Sequence, residues 1–129
     1  MVNNLESNLH LFQRIQKTIE DDSDILAFVV YGSFARDEAY NDIDICIFLY
    51  PHKRELIDKK HLLYLSMFAD SFDVHIFSDL PLVIQSRVLN DGKILCNKNF
   101  DLLFDIYCNT IKEFNLFEPH LNTYLNLEV

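Results

Sequence analysis

The run ILAFVVY at residues 25–31 has no polar group except the tyrosine hydroxyl, and it limits the possible folds more than any other stretch. Seven residues suit a strand and are short for a helix. A strand whose two alternating side-chain sets are both apolar must be covered on both faces. The run stops at Gly32-Ser33, and a second strand, Ile43 to Tyr50, begins eleven residues after Gly32 and ends before Pro51.

The remaining elements are read from periodicity. Leu5, Leu9, Phe12, Ile15 and Ile19 recur at helical spacing, predicting an amphipathic helix over residues 4–20, broken by DDSD at 21–24. Arg54 to Ala69 predicts a second helix with Leu56, Leu63 and Met67 on one side. Phe72 to Phe77 predicts a third strand. The stretch SDLP at 78–81 reads as a helix start, with Asp79 as the capping acid and Pro81 in the first turn. That helix runs to Asp91, with Gly92 as its C-terminal cap. Lys93 to Cys96 is a short extended piece. The last helix begins near Asn99, with Leu103, Tyr107, Ile111 and Phe114 as its buried stripe. From Phe117 onward apolar residues mix with Asn and Pro119 without a clear period. The expected fold is α/β (α+β): a small mixed sheet of three to four strands packed with helices, forming a single domain over 1–129.

Composition narrows the function classes. Half of the 129 residues are apolar, and a chain of this length buries roughly two-thirds of its unfolded surface. No apolar run approaches the ~20 residues of a membrane span, and the N-terminus lacks a basic-then-apolar leader, so no membrane association is expected. Cys46, Cys96 and Cys108 are odd in number with no metal-like spacing, which reads as free thiols in a reducing cytoplasm. Twenty acidic and eleven basic residues give a net charge of −9. Basic residues cluster only at His52-Lys53-Arg54 and Lys59-Lys60, so direct nucleic-acid binding is not expected. A nucleoside triphosphate remains compatible with this charge if metal ions supply the positive charge.

The chemistry concentrates in VVYGSFARDEAYNDIDICIF, residues 29–48. Alternation in the second strand puts Asp42, Asp44, Cys46 and Phe48 on one side and Ile43, Ile45, Ile47 and Leu49 on the other. Asp42 and Asp44 then repel unless a cation sits between them, and an all-oxygen pair suits Mg²⁺ or Mn²⁺. A solvated Asp-x-Asp beside a loop is the plainer explanation. Gly32 and Ser33 end a strand where backbone N–H groups become free, and glycine lets a phosphate approach. Arg36, one helical turn on, reaches the same anion. A simple tight turn is the plainer explanation there. Together the two features describe metal–triphosphate binding. A third carboxylate would come from Asp73 if its strand lies beside the second, with Asp70 and Asp79 as competitors from connecting segments. His75 shares the face of Asp73 and reads as a packed, hydrogen-bonded side chain.

The same stretch resembles the signature of the DNA polymerase β-like nucleotidyltransferase superfamily: an apolar strand, Gly-Ser, a short helix with Arg, a loop, then Asp-x-Asp. Chain length, and RVLNDGKILC followed by a helix with a Tyr, are similar to the minimal nucleotidyltransferases, the MNT antitoxins of HEPN toxin pairs. The resemblance runs from about Ile25 to Phe114 and is specific between Val30 and Ile47. It implies that Gly32 and Ser33 contact the triphosphate and that Asp42 and Asp44 hold two Mg²⁺ ions. It implies further that Asp73 is the third carboxylate and helps to activate the attacking hydroxyl. Asp37 stands where the family usually has Gly, and the loop EAYN is shorter than in many members.

The implied reaction transfers AMP from ATP to a tyrosine hydroxyl of a HEPN ribonuclease toxin, so that the chain acts as an antitoxin. Little sequence is left for an acceptor domain once the sheet and helices are assigned, which points to an acceptor brought by the partner. The tail FNLFEPHLNTYL is a candidate docking surface or packs on its own domain. Two other readings are an antitoxin that works by binding alone and a small-molecule nucleotidyltransferase of the aminoglycoside-modifying type.

Overall fold

A computed structural model describes residues 5–32, 43–68, 70 and 72–125, with the side chains of 5–9, 11 and 120–125 outside the description. The elements are α1 (Leu5–Glu20), β1 (Ile25–Tyr31), β2 (Ile43–Leu49), α2 (Arg54–Phe68) and β3 (Phe72–Ile76), then a 3-10 turn at Phe77–Asp79. They continue with α3 (Leu82–Asp91), β4 (Lys93–Asn97) and α4 (Phe100–Leu125). The strands form a four-stranded sheet in the order β3-β2-β1-β4. β2 lies parallel to β3, while β1 is antiparallel to both β2 and β4, so the sheet is mixed as expected.

Every residue of β1 is buried, as its composition requires. One face of the sheet carries Ile25, Phe28, Val30, Ile43, Ile45, Ile47, Phe72, Val74 and Ile76 against Phe12, Ile15 and Ile19 of α1 and Tyr64 and Phe68 of α2. The other face carries Leu26, Ala27, Val29, Tyr31, Cys46 and Phe48 against Val88 of α3 and Leu103 of α4. A bulge between Ile25 and Ala27 turns the adjacent Leu26 and Ala27 to the same face. Each fully buried aliphatic or aromatic side chain contributes about 1.5–3 kcal/mol, so the central strands carry much of the stability.

Several local expectations change in the folded chain. The buried residues of α2 are Tyr64 and Phe68, with Ile57 and Leu65 packed alongside, whereas Leu63 and Met67 are exposed. Two aromatic rings, each with a large apolar surface to bury, take the sheet-facing side of α2. Phe68 packs against Phe72 with ring centroids 6.3 Å apart, and His61 Nε2 lies 3.0 Å from the Val74 carbonyl. Asp79 does not cap α3. It lies in the 3-10 turn, where Arg54 donates to both of its carboxylate oxygens at 2.6 and 2.9 Å. Pro81 is the N-cap residue, without a side-chain hydrogen bond.

Gly92 does end α3, with its N–H donating to the Val88 carbonyl at 2.9 Å. Its φ of −71° is open to any residue, and what demands glycine is space. An added Cβ would meet the Val88 carbonyl and the Val29 side chain. Asn99 caps α4 by accepting from the Leu102 N–H at 3.1 Å. On α4 Leu103 is buried and Tyr107 and Phe114 are half-buried, but Ile111 is exposed. The helix continues through Pro119, and Leu116 and Phe117 remain exposed instead of packing on the sheet. All three cysteines are free thiols. Among the described residues no helix is long and apolar enough to cross a membrane.

The end of the sheet opposite Gly32 is held by a polar clamp. Lys60 Nζ donates to both oxygens of Asp22 at 2.9 and 2.8 Å, and Tyr64 donates to the same carboxylate at 2.9 Å. Lys98 Nζ donates to the Ile19 and Asp22 carbonyls at 2.6 Å each. These bonds tie the α1–β1 turn to α2 and to the segment after β4.

Candidate active site

Register assembles the site. Tyr31 at the end of β1 pairs with Asp44 on β2, and Asp44 pairs in parallel register with Asp73 on β3. Two pairs deeper, Cys46 is opposite His75. Alternation sends Tyr31, Asp44, Asp73 and His75 toward the face shared with α3 and α4. The parallel pairing of β2 and β3 therefore places the Asp73 carboxylate next to that of Asp44. Asp79 is engaged by Arg54 on another part of the surface, and Asp70 lies outside the carboxylate cluster.

The donor atoms of Asp44, Asp73 and His75 all lie within 4.8 Å of one another. Asp44 is half-buried, and the Asp73 side chain is 49% exposed. His75 Nε2 lies 3.1 Å from Asp73 Oδ2, and the imidazole meets the Tyr31 ring edge-on at 6.2 Å between centroids. His75 is packed as expected, its polar contact being the Asp73 carboxylate, and it also belongs to the cluster. The period-two spacing from Asp73 was the signal that could have placed it there. Oxygen and imidazole nitrogen donors of this kind fit a divalent cation.

Gly32 closes the site from β1. Its φ is +79°, the left-handed region that disfavours side chains, and an added Cβ would run into the carboxylate of Asp44. Glycine therefore lets the backbone pass against the carboxylate, leaving its neighbourhood open to a ligand. Ser33, Arg36 and Asp42, together with Asp37 and the EAYN loop, lie outside the described residues.

The local field is negative. Burial raises the Tyr31 hydroxyl well above its usual pKa, and the thiol of Cys46 and the carboxylates of Asp44 and Asp73 add to the rise. Burial alone pushes the Cys46 thiol up. Tyr107, behind Cys46, is pushed up to about 12, first by burial and then by that thiol. Tyr31 and Cys46 thus stay neutral at physiological pH.

Residues 13–101 match the sequence profile of the family described as polymerase beta, nucleotidyltransferase. The chain belongs to this nucleotidyltransferase family. A Methanocaldococcus jannaschii protein, named by inference a protein adenylyltransferase, is 27% identical over 88 residues. That match spans 66% of each chain, just under two thirds of the relative's length. The nucleotidyltransferase fold also recurs in solved structures at low identity. A chain from a toxin–antitoxin crystal structure with AMP-PNP is 16% identical with a TM-score of 0.68, covering 88% of this chain and 94% of that one. A chain from a tri-AMPylated Shewanella oneidensis HEPN toxin in complex with an MNT antitoxin is 16% identical, with a TM-score of 0.64 and coverages of 88% and 92%. A chain from an MntA–HepT toxin–antitoxin structure is 14% identical, with a TM-score of 0.64 and coverages of 92% and 96%.

Proposed function

We propose that this chain is a Mg²⁺-dependent protein adenylyltransferase that transfers AMP from ATP to a tyrosine of a HEPN ribonuclease toxin and thereby acts as its antitoxin. The observation that carries the proposal is the Asp44–Asp73 pair on adjacent strands with Gly32 packed against it. Family membership, the protein adenylyltransferase name of the relative, and the HEPN–MNT and AMP-PNP complexes among chains of the same fold support it.

In this reading Asp42, Asp44 and Asp73 hold two Mg²⁺ ions, and Gly32, Ser33 and Arg36 bind the triphosphate. The metal, when bound, offsets the carboxylate charge and polarises the phosphate and acceptor oxygens. The acceptor oxygen forms a bond to the α-phosphorus of ATP as the bond to the pyrophosphate oxygen breaks, and pyrophosphate leaves. Asp73 Oδ2 faces His75, and the Asp73 carboxylate would take the acceptor proton. A free tyrosine of pKa ~10 is only about 0.1% ionised at pH 7, so proton removal is a substantial part of the barrier. The exposure of Asp73 leaves room for a tyrosine carried on another protein's surface. Three free thiols agree with a reducing cytoplasm.

The test incubates the chain with Mg²⁺, labelled ATP and a HEPN protein encoded beside it. Label on a tyrosine of that protein, lost in Asp44→Asn and Asp73→Asn, is the expected result. Neutralisation of the HEPN protein without label, equally well by the Asn variants, would establish antitoxin action by binding alone. Label transfer to an aminoglycoside instead would establish a small-molecule enzyme.

A further inference from the structure

We infer that His75 is a nitrogen ligand of the metal site and that it biases the site toward Mn²⁺ over Mg²⁺. This rests on the reading of Asp44 and Asp73 as metal ligands and goes beyond it, because an imidazole changes which cation the site prefers.

Three observations converge on His75. It lies two residues after Asp73 on β3, so both side chains leave the same face of the strand. Its Nε2 points back along the strand at Asp73 Oδ2, 3.1 Å away, and falls within 4.8 Å of the donor atoms of both aspartates. Its ring is packed, with the side chain 32% exposed and the edge of Tyr31 against it, so the nitrogen is presented in a set direction.

The chemistry of the donors then decides the cation. Mg²⁺ holds to oxygen ligands and gives up water reluctantly, whereas first-row transition cations accept imidazole readily. Mn²⁺ is the member of that series that also favours carboxylates, so two aspartates and a histidine match it better than they match Mg²⁺. Nε2 lies 3.1 Å from Asp73 Oδ2. As a ligand, Nε2 must be the unprotonated ring nitrogen, with the single ring proton on Nδ1.

The test uses the full chain without nucleotide and reads metal binding directly. Titration calorimetry with Mn²⁺ and with Mg²⁺ on wild type, His75→Gln and Asp73→Asn gives the affinities. Spin-echo spectroscopy of bound Mn²⁺ reads modulation from a coordinated nitrogen nucleus. We expect tighter Mn²⁺ than Mg²⁺ binding in wild type. His75→Gln should weaken Mn²⁺ by about tenfold or more and Mg²⁺ by less than about twofold, and should abolish the nitrogen modulation. Equal weakening of both metals, with no nitrogen modulation in wild type, would show that His75 only orients Asp73 and would overturn the inference. Unchanged Mn²⁺ affinity in His75→Gln would overturn it as well. If neither metal binds wild type and Asp73→Asn changes nothing, the metal-site reading beneath it fails instead.

Discussion

Asp44 and Asp73 are direct partners in the parallel register of β2 and β3, two carboxylates held side by side by backbone hydrogen bonding. Like charges placed across a strand pair destabilise by about 0.2–1 kcal/mol, so the pair is kept at a cost to the fold. Asp44→Asn and Asp73→Asn should therefore leave the metal-free melting temperature unchanged or slightly raised. Adenylyl transfer in the same variants should fall by about a hundredfold or more. Thermal melting beside a label-transfer assay checks both halves, and a variant that transfers AMP at the wild-type rate would remove that aspartate from the site.

The two glycines should fail in different ways. Gly32→Ala forces an L-residue into a left-handed conformation at about 1–2 kcal/mol and pushes into the Asp44 carboxylate. It should lose both stability and transfer. Gly92→Ala carries no φ penalty, but its Cβ runs into the Val88 carbonyl and the Val29 side chain, at about 1–3 kcal/mol. Its activity per folded molecule should be retained. Urea denaturation with activity normalised to the folded fraction distinguishes the two.

Asp22 links stability to pH. Burial pushes its carboxyl up, but hydrogen bonds from Lys60, the Asp24 N–H and Tyr64 outweigh this and hold it below the ordinary carboxylate range. A depressed folded-state pKa gives stability that is present above the unfolded value and is lost as pH falls through the folded one. Unfolding free energy should therefore decline from about pH 4 downward. Asp22→Asn should be weaker at neutral pH by about 1–3 kcal/mol and should lack this part of the acid decline. Burial lowers the Lys60 ammonium and its bonds to Asp22 and Asp24 more than restore it, so its pKa is raised. Its contribution should persist at neutral pH and be lost only above the ordinary lysine range. Chemical denaturation across pH in both chains measures the difference.

Helix α4 should divide energetically along its length. Leu103 is 3% exposed in the core, and Leu103→Ala should cost about 2–5 kcal/mol. Leu116 is 72% exposed, and Leu116→Ser should change stability by less than about 0.5 kcal/mol. Thermal and urea unfolding of the two variants make the comparison, and a large loss at Leu116 would show that this end of α4 packs on the sheet.

Much of the fold was legible because the decisive patterns are local. The unbroken apolar run of β1 required cover on both faces, and it has it. The alternation in β2 put Ile43, Ile45 and Ile47 on one face and Asp44, Cys46 and Phe48 on the other, as alternation must. Helix α2 offers two stripes at helical spacing, Leu56, Leu63 and Met67 on one side and Ile57, Tyr64 and Phe68 on the other. Only the position of Phe72 and Val74 on the neighbouring strand selects between them. Asp79 looked like a cap because its sequence neighbours form a helix start, while its actual partner, Arg54, is twenty-five residues away.

The sequence by itself determined the elements, the sidedness of Asp44 and Asp73, and the need for a glycine at position 32 once the chain turns there. Those properties follow from backbone geometry between neighbouring residues. Tertiary structure alone decided that β3 lies parallel beside β2, that Asp73 rather than Asp70 or Asp79 meets Asp44, and that His75 points its nitrogen at the same pair. Strand order and register are set by how two apolar faces are buried at once, and no local pattern encodes that balance.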